Sequence, residues 1–376
     1  LFDETESLDL ASEYINKALS ICSRKNLTLM MFQLELLNFQ IQYKTDKKDR
    51  KPALNYLNRI INKYKNLNLK NFELLLIFFK FQYFGMTFNP IQCVDTLRQI
   101  SNEIVKLGLN QYNIEFYQLC LIYEISQHLL RGSIVEAKSI IKILKDCQDK
   151  FAPNPSFSSS IPIQFITICE LLEFAINIQE NDLLSSKAKI SKIDSIVKIL
   201  KSKNYADWYS TTNGKRENGK FIINLMIKDP SFNDNNNNKN FEQLLSFPIE
   251  IKWLTPSEFR LTAFLYCGVC YISKSWDGKD RTEKLFDYCR NYIDDELKTE
   301  NHQLSNIEAE TKVLRLNYIS TLLDYYECLA NFQKDKWNLN LIRENINKDE
   351  DEDIIRVNKS KRIKVSNNSN SIKDKI

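Results

Sequence analysis

Gly214 and Gly219-Lys220 bound a run, Gly-Lys-Arg-Glu-Asn-Gly-Lys over 214–220, with the spacing of a phosphate-binding loop. In such a loop backbone N–H groups cradle the phosphates, the lysine neutralises them, and a following Ser or Thr hydroxyl holds Mg²⁺. Here Phe221 stands at the hydroxyl position, Glu217 would repel phosphate, and no parallel-sheet pattern precedes the run. A solvated loop explains these residues better, and a nucleotide-binding protein using Gly214 to Lys220 stays as a competing reading. Cys267 and Cys270 have the spacing of a zinc or redox pair, but a structural zinc needs four ligands. The two histidines, His128 and His302, are distant in sequence. Packing is the better reading of the pair, with Gly268 between them admitting a close helix approach. Two histidines and no recognisable nucleophile elbow leave little material for acid–base or triad chemistry. No catalytic, cofactor-binding or metal residue is assigned, and the chain is expected not to be an enzyme.

Composition bounds the rest. Seven glycines and eight prolines in 376 residues are too few for a barrel, sandwich or doubly wound sheet. The 43% hydrophobic content, with 22 Phe and 17 Tyr, is ample for a packed interior. A net charge of +4 from 52 basic and 48 acidic side chains gives no general phosphate-binding surface. The nine cysteines fall mostly in apolar helical stretches, where a thiol acts as a small hydrophobe, and the set reads as belonging to a reducing compartment. The longest strongly apolar stretch, 261–272, is too short to cross a bilayer. No membrane partner and no small-molecule substrate are expected.

The periodicity of the apolar residues is helical, and two kinds of helix alternate. Residues 26–44, 71–84, 112–130 and 161–178 are apolar nearly all round. Each precedes a one-sided stripe, in 52–64, 91–107, 134–147 and 185–200. The repeat of roughly 40 to 50 residues is in the range of two-helix solenoids. In such a stack the inner helix meets its partner and the next repeat, so it is apolar around most of its circumference; the outer helix needs one apolar face. The fold expected is all-α, a TPR-like helical-hairpin solenoid (superhelix), with HEAT-like stacking as competitor because the tetratricopeptide signature is poor.

Four segments follow from this. Residues 1–200 are the first part of the helical array, and 201–250 are a loop or insertion with an Asn-rich disordered stretch at 235–238. Within that insertion 221–227 is a candidate docked element. Residues 251–335 are the second part of the array, opening at a readable helix start: Thr255 as N-cap, Pro256 at the first helical position, Glu258 completing a capping box, and Leu254 with Phe259 as a staple. Residues 336–376 are a mostly disordered charged tail, acidic at 349–353 and then basic with Lys359, Lys361, Arg362 and Lys364, a cluster readable as a nuclear-import signal or as a solubilising tail.

The stretch FPIEIKWLTPSEFRLTAFLYCGVCYISKSWDG (247–278) resembles the cohesin-loading-factor family, the TPR-type smaller subunit of the cohesin loader, in its fungal form. Trp253, Leu254, Glu258 and Gly268 carry the likeness, and LASEYINKALSICSRKN (10–26) resembles that family's helix of the Lys-Ala-Leu-Ser type, followed by a second helix as here. The resemblance implies a non-catalytic scaffold that wraps an extended N-terminal segment of the large HEAT-repeat loader subunit. Together the two would promote cohesin loading onto chromatin for sister chromatid cohesion, touching cohesin and DNA through the complex, in the nucleus. Family members are typically longer than this chain. Aromatics on inner helices, Tyr117, Tyr123, Phe264 and Tyr271, are candidates for lining the groove, against the alternative that they fill the core. Another TPR-like assembly scaffold or a co-chaperone module is the second reading; the latter should show Lys, Arg and Asn along its inner helices to clamp a carboxylate.

Overall fold

A computed structural model of the chain describes residues 7–45, 49–67, 69–110, 113–151, 163–201, 220–228, 244–252, 254, 256–272, 279–298 and 306–333. Among these, nine helices come first: α1 (Leu8–Arg24), α2 (Thr28–Thr45), α3 (Lys51–Asn66), α4 (Lys70–Met86), α5 (Pro90–Leu107), α6 (Ile114–Leu130), α7 (Ile134–Phe151), α8 (Ile163–Gln179) and α9 (Leu183–Lys201). Strands β1 (Lys220–Lys228) and β2 (Leu244–Lys252) follow, then α10 (Pro256–Ile272), α11 (Lys279–Lys298) and α12 (Asn306–Gln333). The chain is an all-α helical-repeat array, as the alternation of apolar patterns predicts, with one β-hairpin inserted. Two compact units divide it, Leu1–Tyr266 and Cys267–Ile376.

In the first unit every helix from α1 to α9 packs on the next, and α6 also meets α8. Short turns make this possible. Helices α1, α4, α6 and α8 end on a residue of positive φ: Asn26 at 53°, Phe88 at 54°, Gly132 at 70° and Asn181 at 57°. The N–H that follows each of them reaches back to the last turn, from Leu27 to the Cys22 carbonyl, Asn89 to Phe84, Ser133 to His128 and Asp182 to Asn177, at 2.9–3.0 Å. This satisfies orphan carbonyls at the helix end, and the next residue or two already begin the following helix. Asn89 doubles as N-cap of α5, accepting from the Gln92 N–H at 3.2 Å ahead of Pro90 at the first position. Asp182 does the same for α9, accepting from the Ser185 N–H at 3.1 Å.

The inner helices α2, α4 and α6 meet through aromatic rings. Phe32 of α2 stands 4.4 Å, centroid to centroid, from Phe72 of α4, and Tyr64 of α3 stacks on Phe72 at 5.5 Å. One repeat further, Phe78 lies 5.4 Å from Phe116, and Phe81 lies 5.1 Å from Tyr123. A single core containing Phe32, Phe72, Phe78, Phe116 and Phe165 therefore runs through the stack. Outer helices latch onto it electrostatically. Each of the inner carboxylates Glu35, Glu124 and Glu170 is buried, and each takes a cation from a neighbouring outer helix. Lys63 donates to Glu35 at 2.8 Å, Arg98 to Glu124 at 2.7 Å, and Lys189 and Lys192 to Glu170 at 2.7 and 2.5 Å.

The insertion expected as a loop differs from that reading. Within 201–250, and running two residues past it, β1 and β2 pair antiparallel in the register Phe221↔Ile251, Ile223↔Ile249, Leu225↔Phe247 and Ile227↔Leu245. By the two-residue period of a strand these eight apolar positions share one face, while the other is mixed, with Lys220, Asn224, Lys228, Ser246, Glu250 and Lys252 beside Ile222, Met226, Leu244 and Pro248. Ile249 and Ile251 are buried and belong to the same core as the inner helices. The candidate docked element 221–227 is thus strand β1, packed against α6 and α4. The Asn-rich run 235–238 and the charged tail 336–376 lie outside the described residues.

In the second unit α11 packs on α12. Arg290 of α11 donates to Asp324 at 2.9 Å and to Glu327 at 2.5 Å on α12, and Lys312 pairs with Glu296 at 2.5 Å. Gly268, near the end of α10, has the role the sequence suggests. A Cβ there would come within 2.3 Å of the Phe286 ring, which is itself 2% exposed and has little room to retreat. The helix start at Pro256 falls where expected, with Glu258 and Phe259 buried; Thr255 lies outside the described residues.

Candidate functional site

Among the described residues, those whose types could do chemistry do not converge on a reaction centre. Lys220 opens β1, whereas a phosphate loop delivers its lysine at a helix N-terminus, where backbone N–H groups and the helix dipole receive the phosphate. Residues 214–219 lie outside the described part. Eight of the nine cysteines, Cys267 and Cys270 among them, are buried thiols. Burial pushes Cys93 up to about 11 and, outweighing the Lys150 charge, Cys147 up to about 11; it pushes Cys169 up to about 12 and, reinforced by Glu327, Cys289 up to about 12, so these thiols stay protonated and unreactive. Among the described residues no group of three metal-ligating side chains is brought together. A cleft of about 100 Å³ between α11 and α12, lined by Thr282, Phe286, Asp287 and Glu327, is well below the roughly 300–1,000 Å³ of small-molecule sites.

His128 is a core group. Its ring is 4% exposed, and Arg98 Nη2 donates to Nε2 at 3.1 Å, which requires a neutral imidazole with its proton on Nδ1. Burial lowers its pKa; the charges around it oppose one another, Glu124 and Glu136 raising it and Arg98 and Arg131 lowering it. His302 lies outside the described residues.

The inner-helix face is what remains as a site. Tyr117 and Tyr123 both lie on α6, Tyr117 7% exposed and Tyr123 half-buried, its ring against Phe78 and Phe81. Burial pushes both phenol pKa values up, so each hydroxyl can only offer or accept a hydrogen bond. Phe264 and Tyr271 are half-buried on α10, and the Arg281 guanidinium sits 5.7 Å from the Tyr271 ring centroid. Tyr117 and Tyr123 thus share one helix, while Phe264 and Tyr271 share another. Buried charges on the inner helices of the first unit are the carboxylates Glu35, Glu73, Glu124 and Glu170. That sign is opposite to the cations with which a co-chaperone clamps a C-terminal carboxylate.

Sequence reasoning missed the hairpin's place on this face. Apolar residues at 245, 247, 249 and 251 alternate with Ser246, Pro248 and Glu250, whereas 221–227 is an apolar run broken by Asn224. The glycines and the asparagine run around them masked the alternation. No helix among the described residues is long and apolar enough to cross a membrane.

A family model described as "Cohesin loading factor" matches residues 1–354 of the chain. No curated protein and no solved structure matches it.

Proposed function

The chain belongs to the cohesin loading factor family, and on that premise we propose that it is the non-catalytic scaffold subunit of a cohesin loader. Its inner helices hold an extended N-terminal segment of the large HEAT-repeat subunit. The complex so formed supports cohesin loading onto chromatin for sister chromatid cohesion in the nucleus, and contact with cohesin and DNA comes through the complex. The match over 1–354 carries this reading. Two physical features support it: an array of inner helices apolar on several sides, which suits a long apolar ligand, and buried thiols and a neutral core histidine where an enzyme would need accessible, tuned groups. The four segments read from the sequence belong to the proposal, with the helical parts as scaffold and the charged tail outside it. Tyr117, Tyr123, Phe264 and Tyr271 are proposed as partner contacts.

Co-expression with the N-terminal segment of the large loader subunit from the same organism tests it. The two chains are expected to co-elute in size-exclusion chromatography. Separate elution of two soluble chains would overturn the assignment of the partner and leave a helical scaffold of another assembly.

A further inference from the structure

In an array where helices contact their sequence neighbours and inner helices also meet one another, the β-hairpin reaches furthest back along the chain. Its strand β1 follows α9 in the chain, yet packs on α6 and α4, one and two repeats back. It lies there with an apolar face: Ile249 and Ile251 are 8% and 5% exposed and merge into the core that contains Phe78, Phe116 and Tyr117. The array does not need it. Phe78 and Phe81 already join α4 to α6 through Phe116 and Tyr123, and nearest-neighbour contacts alone stabilise a repeat stack. The hairpin, by contrast, needs the array, because an isolated two-stranded ribbon is marginal in water.

Its attachment is lopsided. Residues 253–255 are all that separate β2 from α10, whereas residues 202–219 precede β1 and 229–243 join the strands. A stretch as long as 202–219 can span up to about 60 Å when extended, so β1 can leave α4 and α6 without disturbing a helix. The edges differ too. Strand β2 carries Pro248 and Glu250, which discourage further pairing, while β1 has no charge or proline between Lys220 and Lys228.

We propose that the ribbon 220–252 is an in-cis stand-in for the partner: the α4–α6 inner face binds an extended segment with apolar residues at alternate positions, and that segment must displace the ribbon. This rests on the reading of the chain as a holder of an extended partner segment, and it adds the place, the sequence pattern of the ligand and a built-in competitor. A ligand that must wait for a minor, ribbon-free state binds more weakly by the fraction of that state.

Full-length chain and a fluorescent peptide of the large subunit's N-terminal segment test this by anisotropy. Ile249→Asp with Ile251→Asp releases the ribbon without touching a helix. Replacement of 220–252 by a Gly/Ser linker of equal length checks the same point should the double variant misfold. The released forms are expected to bind at least ~10-fold tighter. Backbone amides of 220–228 should lose hydrogen-exchange protection when peptide binds. Equal or weaker binding by the released forms, or amides that stay protected in the complex, overturns the ribbon's role alone. Binding by neither wild type nor released forms overturns both this inference and the partner reading.

Discussion

Phe88 is out of keeping with its own turn. The three equivalent turns put Asn26, Gly132 and Asn181 at the left-handed position, residues that tolerate positive φ, whereas Phe88 holds φ 54° with its ring 92% exposed. Neither the backbone nor the packing explains the phenylalanine. Phe88→Gly should therefore stabilise the chain by roughly 1 kcal/mol through relief of the left-handed strain, read as a rise in the midpoint of urea unfolding at unchanged slope. His128 gives a second residue-scale expectation. Its folded pKa lies below the ordinary 6.5, so the unfolded chain takes up the proton first. Stability should be fully present above the ordinary value and fall as pH drops below it toward the folded value. His128→Gln, which keeps an acceptor for Arg98, should flatten the fall in melting temperature between pH 7 and 5.5. An unchanged slope would show that other groups govern it.

At the scale of the element, helix pairs are fastened by buried carboxylates. Glu170 of α8 is 3% exposed and receives both Lys189 and Lys192 of α9, and Lys189 also reaches Glu173. Burial alone would raise the Glu170 pKa, but hydrogen bonds and charge from the two lysines outweigh it and hold the carboxyl below its ordinary range. Replacing both lysines by Ala takes away the two cations that hold this buried carboxylate and should cost about 3–5 kcal/mol, the usual penalty for an orphaned buried charge. The sign with pH follows. The latch contributes above the ordinary carboxyl value and is lost as pH falls through the lowered one, so the destabilisation caused by the double variant should shrink in acid. Thermal unfolding of wild type and variant at pH 7 and pH 4 measures both. Glu170→Gln in the same background should restore part of the loss, since a neutral amide needs no counter-charge.

At the scale of the molecule, stability in the first unit is shared between neighbours rather than pooled. Phe32→Ala removes a fully buried ring that bridges α2 to Tyr64 and Phe72, at a cost of about 3–5 kcal/mol. Because contacts run from each helix to the next, hydrogen-exchange protection should fall across α1 to α4 while α8 and α9 keep most of theirs. Uniform loss over α1 to α9 would show a globally cooperative unit instead. The same local coupling is what allows one stretch of inner face to exchange its ribbon for a partner while the rest of the array stays folded.

The sequence by itself determined the helical array, because inner and outer helices face different numbers of neighbours and their apolar residues must follow. The low glycine and proline content, the start at Pro256 and the role of Gly268 were legible for the same reason: each is a local consequence of residue type. Where β1 and β2 would lie was not. Their alternation specifies a strand with one apolar face, but the surface that covers that face, α4 and α6, is distant in the chain. Nor could the sequence say that Glu35, Glu124 and Glu170 would each meet a cation on a neighbouring outer helix. Only the tertiary structure decided those contacts, since burial of a strand or a charge depends on what folds back against it.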